Sequence, residues 1–287
     1  LEDRPGRVYV DTGPVLERDL ARRAGLGWFG RNTMIIDPRR GSYFLLGALL
    51  LEIALPADEP FEADRCGSCH ACLEACPTGA LLGRRADGAP VIDATRCISY
   101  LTIELDGPIP LELRPHMGNR VFGCDICQEV CPWNERMPER AVSELRYAAR
   151  AAGGLPHGVE PLSGDQDSGA EGRVAAHPGT LAPSLVALME TVLDEARWAS
   201  FSRASPLRRP GRGGFGRNVA VALGNWGDPS ATPVLIRALQ DPEELIRRHA
   251  AWALGKVGSS EAMDALRSRL AEEPDPGVRE EVQASIS

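Results

Sequence analysis

Short apolar runs and one amphipathic stretch alternate along the first part of the chain. Residues 7–10 are rich in valine and tyrosine, as strands are, and residues 15–24 show the spaced apolar positions of a helix that Gly25 would end. Two further β-rich runs, 33–36 and 43–53, are separated by turn-forming residues that suit a hairpin-like connection. The pattern predicts an α/β segment that is too small to be a complete domain.

The middle of the chain has no such periodicity. Residues 63–140 carry every cysteine and many turn formers, as is typical where metal ligation replaces part of a hydrophobic core. Residues 141–200 are predicted to form an irregular linker or insertion, because the part up to about residue 180 is rich in Gly, Pro, Asp, Ser and Ala.

The last segment, residues 201–287, contains an internal repeat. The stretch Asn218-Val-Ala-Val-Ala-Leu-Gly aligns with His249-Ala-Ala-Trp-Ala-Leu-Gly at a shift of 31 residues, and the arginines before them, Arg217 and Arg248, keep the same register. A repeat of this length is typical of HEAT-type α-helical solenoids. Because so few repeats bury a solenoid core poorly, we expect the module to pack on the preceding domain.

Composition and charge narrow the possible classes. A chain of 287 residues with 43% hydrophobic positions is long enough for more than one core. The formal net charge of −8 argues against a uniformly basic nucleic-acid binder but leaves room for a local basic patch. The longest apolar run, 43–53, is too short to span a membrane. We therefore expect a cytoplasmic protein without a membrane partner.

All the cysteines fall in two motifs with iron–sulfur spacing. The motifs are Cys66-x-x-Cys69-x-x-Cys72-x-x-x-Cys76-Pro77, and Cys124-x-x-Cys127-x-x-x-Cys131-Pro132 with Cys97 upstream. One tight loop supplies three corners of a [4Fe–4S] cluster, while the cysteine before proline serves the neighbouring cluster. The spacing therefore predicts one cluster on Cys66, Cys69, Cys72 and Cys131, and a second on Cys76, Cys97, Cys124 and Cys127.

The alternative for the same cysteines is a pair of Cys₄ zinc sites, since CxxC pairs also suit tetrahedral zinc. The dense first motif and the two Cys-Pro endings favour iron–sulfur clusters over zinc, and disulfides fit less well still. No Cys-x-x-x-Cys-x-x-Cys occurs, so a radical-SAM centre is not supported. Two nearby histidines, His70 and His116, are interpreted as solvated loop residues rather than ligands.

A set of short motifs before and around the cysteines is specific when taken together. They are Asp11-Thr-Gly-Pro-Val-Leu-Glu-Arg18, Ala24-Gly-Leu-Gly-Trp-Phe-Gly-Arg-Asn-Thr-Met34, Gly41-Ser-Tyr-Phe44, Cys97-Ile-Ser-Tyr-Leu-Thr-Ile-Glu104, Gly123-Cys-Asp-Ile-Cys-Gln128 and Val130-Cys-Pro-Trp-Asn134. With the HEAT-like tail, this set resembles the epoxyqueuosine reductases, cobalamin-dependent enzymes of tRNA queuosine synthesis. The resemblance covers residues 7–140 and about 200–287.

The resemblance implies an α+β protein of several domains. Residues 1–62 would be the C-terminal part of an α/β cobalamin-binding domain whose N-terminal part is missing here. Residues 63–140 would be a bacterial two-cluster ferredoxin-like domain, and 201–287 a HEAT-like repeat module. Members of the family bind two [4Fe–4S] clusters and a cobalamin, and they reduce epoxyqueuosine to queuosine in the anticodon loop of tRNA.

The resemblance also implies roles for individual residues. Asp11 matches the proton donor of the family. A carboxylic acid in a desolvated pocket would keep its proton near neutral pH, as this role requires. The positions that match cobalamin contacts are Arg18, Asn32, Thr33, Ile35, Gly123 and Cys124.

A local basic segment offers a binding surface for the tRNA. Its arginines, which pair well with phosphate and stack on bases, are Arg203, Arg208, Arg209, Arg212 and Arg217. An external low-potential electron donor is a further expected partner, and the protein is expected to be a monomer.

The sequence leaves two other functions open. A reductive dehalogenase-like protein also joins cobalamin to two such clusters, but it would lack the repeat and have no use for the arginines. The chain could instead be an electron-transfer module without catalysis of its own, which is favoured if its α/β part does not hold cobalamin.

Overall fold

The computed structural model describes residues 6–11, 13–135 and 184–287. Contacts within it divide the chain into two compact units, the first made of Leu1–Cys97 with Cys124–Ala152 and the second of Ile98–Gly123 with Gly153–Ser287. The chain therefore passes between the units twice, directly after Cys97 and directly before Cys124. The predicted division into four segments stays a prediction, but residues 98–123 fold with the C-terminal helices rather than with the cysteines.

Two small antiparallel sheets open the first unit. Strand β1 (Gly6–Tyr9) precedes helix α1 (Glu17–Arg23), and β2 (Trp28–Phe29), β3 (Ile35–Ile36) and β4 (Ala48–Leu51) follow. Strand β1 pairs with β4, and β2 pairs with β3.

The predicted hairpin-like connection between the third and fourth strands forms only at the turn itself, and the two strands do not pair with each other. The turn closes on itself, since Asp37 and Gly41 exchange backbone hydrogen bonds of 2.8 and 3.0 Å. Gly41 makes this possible by adopting a φ of 70°. The strands on either side of the turn then pair with earlier strands instead of with each other.

Short elements carry the cysteine loops. After β4 come α2 (Ala71–Ala75) and the hairpin of β5 (Leu81–Arg84) with β6 (Pro90–Ile92). Helix α3 (Ile98–Ile103) belongs to the second unit, and α4 (Ile126–Glu129) and α5 (Pro132–Glu135) return to the first. Helices of four to six residues have almost no intrinsic stability, so tertiary packing must hold them.

From residue 184 onward, the described part of the second unit is mainly helical. In chain order the α-helices are α6 (Leu185–Val192), α7 (Glu195–Phe201), α8 (Gly211–Trp226), α9 (Thr232–Ala238), α10 (Glu244–Val257), α11 (Ser260–Glu272) and α12 (Pro276–Ile286). The prediction of an irregular linker over 141–200 is therefore wrong from residue 184 onward. There, Ser184 and Asp194 cap α6 and α7 with hydrogen bonds to backbone N–H groups. The remainder of that segment lies outside the described residues.

The sequence repeat corresponds to a structural repeat. Helices α8 and α10 carry the aligned stretches, and each ends at a left-handed glycine, Gly227 with φ 69° and Gly258 with φ 65°. The two helices pack so closely at Gly224 that a Cβ there would lie 2.6 Å from the ring of Trp252. Only glycine fits at this position. Leucines and valines along this contact are fully buried, and each contributes about 1.5–3 kcal/mol. Within the described parts of the chain, no helix is long and apolar enough to cross a membrane.

Candidate functional site

Four cysteines line one cavity in the first unit. Cys66, Cys69, Cys72 and Cys131 surround a space of about 180 Å³. The first three come from one loop, in which Cys69 N–H donates to Cys66 O at 3.0 Å around the left-handed Gly67. The fourth immediately precedes α5. These are the four cysteines that the spacing assigns to one cluster, brought together from positions far apart in the sequence.

Three of the other four cysteines lie close enough to the fourth, Cys127, to raise the pKa of its thiol. Burial, followed by the charges of neighbouring cysteines, raises the pKa of the Cys127 thiol to about 12. Those neighbours are Cys124, Cys72, Cys97 and Cys76. Three of them are the predicted partners of Cys127, and Cys72 belongs to the first set. The two sets therefore lie next to each other in the first unit.

Three of these thiols, those of Cys72, Cys127 and Cys131, resist ionisation without a metal. Burial, with the charges of Cys66, Cys131 and Cys69, raises the pKa of Cys72 to about 11, and burial also raises the pKa of Cys131. Only the thiolate is a metal ligand, so metal binding would release these protons. A set of soft thiolates around an apolar space suits an iron–sulfur cluster.

Aromatic side chains shield the first set. Trp28 Nε1–H donates to the Sγ of Cys66 at 3.5 Å, and its ring lies edge-on to Trp133 with centroids 4.9 Å apart. The ring of Phe61 also packs against Trp28, with centroids 5.6 Å apart. Hydrogen bonds to sulfur and exclusion of water both tune the reduction potential of a cluster.

The turn between β2 and β3 reaches both cysteine sets through consecutive residues. Arg31 Nη2 donates to Gly67 O at 2.7 Å, and Nη1 of the same guanidinium lies 2.5 Å from His70 Nε2. Asn32, which is only 2% exposed, donates to Cys127 O at 3.2 Å. Arg31 and Trp28 were not predicted as site residues, whereas His70 is exposed, as expected of a solvated loop residue, and lies against Arg31. The signal was present, because both overlooked residues lie in the motif Gly27-Trp-Phe-Gly-Arg-Asn32.

Two of the predicted cobalamin residues meet on a larger cavity. Arg18 Nη1 donates to the carbonyl oxygen of Thr33 at 2.6 Å. Both residues line an open cavity of about 820 Å³, together with Trp28, Phe29 and other side chains of the first unit. Thr33 has a φ of 66°, which is rare for a β-branched residue.

The other predicted cobalamin residues lie elsewhere. Asn32 lines the smaller, cysteine-lined cavity, and Ile35 is a core residue with 3% exposure. Gly123 and Cys124 stand where the chain re-enters the first unit.

Asp11 lies just beyond β1 and is exposed. Its φ is 61°, so it shares the left-handed conformation with Thr33. It is not among the described residues that line the 820 Å³ cavity. The sequence prediction that it faces a cofactor therefore stays a prediction.

The five predicted RNA-binding arginines divide into two kinds. Arg217 is not part of any basic surface, because its side chain is fully buried and donates to the carbonyl oxygens of Leu101, Leu105 and Gly107. Arg212 is also withdrawn, with 12% side-chain exposure and two hydrogen bonds to Asp241.

The remaining three arginines, Arg203, Arg208 and Arg209, are exposed. Arg209 forms an ion pair of 2.6 Å with Glu104. The surface available to phosphate is therefore smaller than the sequence suggested.

Two known families match parts of the chain. The family described as the 4Fe-4S double cluster binding domain matches residues 65–134, and the family described as HEAT repeats matches residues 216–287. These matches confirm the iron–sulfur character of the cysteine region and the helical repeat of the tail.

Curated relatives extend the similarity along most of the chain. An epoxyqueuosine reductase from Pseudomonas aeruginosa is 42% identical over 258 residues, which cover 88% of this chain and 61% of the relative. One from Escherichia coli is 41% identical over 252 residues, covering 87% and 56%. The chain thus spans about three fifths of the length of the curated relatives it matches.

Solved structures show the same fold. A selenomethionine-labelled epoxyqueuosine reductase has a TM-score of 0.76 and 33% identity, covering 99% of this chain and 66% of that one. An epoxyqueuosine reductase with an epoxyqueuosine-modified tRNA stem loop has a TM-score of 0.75 and 31% identity, with the same coverage. The enzyme from Bacillus subtilis, with its catalytic aspartate loop swung out of the active site, has a TM-score of 0.75 and 32% identity, covering 100% and 66%.

Proposed function

The chain belongs to the epoxyqueuosine reductase family, and we propose that it serves the reaction for which that family is named, the reduction of epoxyqueuosine to queuosine in tRNA. One observation carries the proposal. The similarity of the chain to these enzymes extends over both the eight-cysteine region and the helical repeat, at 42% identity over 258 residues. A reductive dehalogenase-like protein would not account for the repeat.

The cysteines would hold two [4Fe–4S] clusters. We assign Cys66, Cys69, Cys72 and Cys131 to one cluster, and Cys76, Cys97, Cys124 and Cys127 to the other. The shared cavity supports the first set, and the effect of Cys124, Cys97 and Cys76 on the pKa of Cys127 supports the second. When bound, such clusters supply electrons one at a time. The protein side chains keep water away and donate hydrogen bonds to sulfur, as Trp28 does to Cys66.

The open cavity of the first unit would take part of the cobalamin. Its volume of about 820 Å³ is in the upper part of the range for cofactor sites, about 300–1,000 Å³. Its lining combines aromatic rings with charged groups, which suits a large ring with amide arms. Arg18 and Thr33 are the contacts we propose. When bound, cobalamin supplies a strongly reducing metal.

Asp11 would supply a proton in this reaction. Reductive deoxygenation of an epoxide to an alkene takes up two electrons and two protons and releases the oxygen as water. The leaving oxygen therefore needs an acid beside it. The left-handed backbone of Asp11 supports the assignment, because strained residues cluster at functional sites. The Bacillus subtilis relative offers a parallel, since it has an aspartate on a catalytic loop, which was solved swung out of the active site.

The tRNA would contact the exposed arginines Arg203, Arg208 and Arg209. They are the exposed arginines of the basic segment, on a chain with a net charge of −8. A relative has been solved with a tRNA stem loop, which supports tRNA as the partner. A cytoplasmic location, an external low-potential electron donor and a monomeric state complete the proposal.

The test is anaerobic reconstitution of the full natural protein with iron, sulfide and cobalamin. We expect iron for two clusters, a change in the corrin absorption spectrum on binding, and conversion of epoxyqueuosine-tRNA when a low-potential reductant is present. Iron without cobalamin binding would favour an electron-transfer module. Binding of both cofactors without turnover of that tRNA would refute the proposed reaction.

A further inference from the structure

We propose that Thr102 and Asn218 are positioning residues for the second cysteine set. They hold together the two points at which the chain crosses between the units, and in this way they fix the separation of Cys97 and Cys124. The inference rests on the ligand assignment proposed above and adds a role for the helical repeat in the redox site.

The topology makes such a role necessary. Cys97 is the last residue of the first unit before residues 98–123, and Cys124 is the first residue after them. A whole segment of the second unit is therefore inserted between two cysteines of one set. Ligands of a cluster must stay within about 0.5 Å of their productive positions, so the ends of the insertion have to be held at a constant separation.

A single hydroxyl group joins these two ends. Thr102 Oγ1 donates to the carbonyl oxygen of Ile98 at 2.7 Å and accepts the backbone N–H of Gly123 at 2.9 Å. Ile98 directly follows Cys97, and Gly123 directly precedes Cys124. Thr102 is completely buried, so water does not replace either bond.

The helical repeat fixes the same junction from its own side. Asn218, on α8, donates through Nδ2 to the carbonyl oxygens of Thr102 at 2.7 Å and Val121 at 2.9 Å. Its Oδ1 accepts from Arg217 Nε at 3.0 Å. The amide of Asn218 is thus saturated, fully buried and bonded to both limbs of the insertion. A buried network in which every group is satisfied is rigid.

Asn225 provides a matched control on the same helix. It also donates through Nδ2 to two carbonyl oxygens of the insertion, those of Arg114 at 2.8 Å and Gly118 at 2.9 Å. These carbonyls lie in the middle of the insertion, away from both cysteines. Loss of the Asn225 bonds would loosen the insertion without changing the separation of its ends.

The experiment compares Asn218→Asp and Thr102→Val with Asn225→Asp in the reconstituted full natural protein. In Asn218→Asp, a carboxylate oxygen replaces the amide NH₂, so the two carbonyl oxygens lose their donor. In Thr102→Val, the side chain keeps its shape but the Gly123 N–H loses its acceptor. We expect both test variants to alter the EPR spectrum and midpoint potential of one cluster only. A chelator should remove iron from that cluster roughly ten-fold faster, the factor that corresponds to one lost buried hydrogen bond.

The control should lose thermal stability but keep both EPR signals and the rate of iron release of the wild-type protein. Thr102→Ser restores the hydroxyl and should restore the signals, which keeps the test decisive if Asn218→Asp does not fold. Equal effects on both clusters, or the same effects in Asn225→Asp, would overturn the inference. Wild-type protein that takes up only one cluster would instead refute the ligand assignment.

Discussion

Arg18 on α1 donates a hydrogen bond from Nη1 to the carbonyl oxygen of Thr33, 15 residues later, at 2.6 Å. This bond joins the helix to the turn between β2 and β3 and stabilises a threonine with a φ of 66°. The same turn carries Arg31 and Asn32 to the cysteine loops. One short turn therefore contributes residues to the linings of both the large cavity and the cysteine-lined cavity.

The Arg18 bond leads to a first prediction. Arg18→Gln should weaken cobalamin binding by about ten-fold or more, because a hydrogen bond from a charged group contributes about 1.5–3 kcal/mol. The corrin absorption titration measures the affinity. Iron content and EPR spectra should not change, and Arg23→Gln, on the same helix with a side chain 66% exposed, serves as the control. Unchanged affinity would remove Arg18 from the proposed site.

Asp11 gives a second prediction. Asp11→Asn should slow the conversion of epoxyqueuosine-tRNA by about 10²-fold, the usual contribution of a general acid. Asparagine tolerates the left-handed backbone that Asp11 adopts, so the loop should be preserved. Single-turnover kinetics with pre-bound tRNA isolate the chemical step. A wild-type rate in this variant would exclude Asp11 as the proton donor.

The third prediction concerns the exposed arginines. Arg203→Ala with Arg208→Ala should weaken tRNA binding and reduce the slope of log affinity against log salt by roughly 0.7–0.9 for each lost phosphate contact. Fluorescence anisotropy at several salt concentrations measures both quantities. Arg267→Ala removes an arginine that is 61% exposed elsewhere on the helical repeat and should have no effect. If the two variants show equal salt slopes, Arg203 and Arg208 do not contact RNA.

The fourth prediction follows from a buried histidine. Burial, with the nearby charges of Arg114, Arg217 and Arg248, lowers the pKa of His249 well below its usual value. Its Nε2 accepts the backbone N–H of Ile109 at 3.2 Å, so the neutral form is required. The unfolded chain binds a proton below about pH 6.5 while the folded chain does not, and stability should fall by about 1.4 kcal/mol per pH unit below that point.

Urea unfolding at pH 7.5 and pH 5.5 measures this loss. The matched variant is His249→Asn, since Asn218 occupies the equivalent position of the preceding repeat. This variant should be less stable at pH 7.5 but should show a smaller decrease on acidification. An identical pH dependence in the two proteins would show that His249 is not responsible.

A fifth prediction tests how the cysteines are shared between the clusters. Cys131→Ser should perturb the same EPR signal as Cys66→Ser, although these cysteines belong to different sequence motifs. Cys97→Ser should perturb the other signal, as Cys76→Ser does. If Cys131→Ser instead altered the signal that Cys97→Ser alters, the crossed assignment would be wrong.

The sequence predicted those parts of the fold and site that depend on local spacing. Cysteine intervals identify an iron–sulfur ligand set because the cluster itself fixes the geometry, and the aligned Ala-Leu-Gly stretches identify the repeat because each must close a helix. The helix at 185–192 was not predicted, because the preceding residues are rich in Gly, Pro, Asp, Ser and Ala and suggested a linker. The short apolar run with Ser184 as its N-cap was the local signal for the helix.

Long-range partners account for the remaining errors. Arg217 belongs to an arginine-rich segment in the sequence, but its partners Leu101 and Leu105 precede it by 116 and 112 residues. No local pattern marks an arginine that will bond to such distant carbonyls. The same holds for β4, which pairs with β1 across the whole first segment rather than with its neighbour in sequence.

The insertion between Cys97 and Cys124 also has a consequence for biosynthesis. Both cysteines leave the ribosome long before Asn218, whose amide completes the junction between them. We expect the first cysteine set to accept iron on nascent chains that end before α8, and the second only once that helix has been synthesised, so the order of cofactor loading would follow the order of translation. Iron analysis of ribosome-stalled chains ending at residues 200 and 287 would show whether the two sites mature in that sequence.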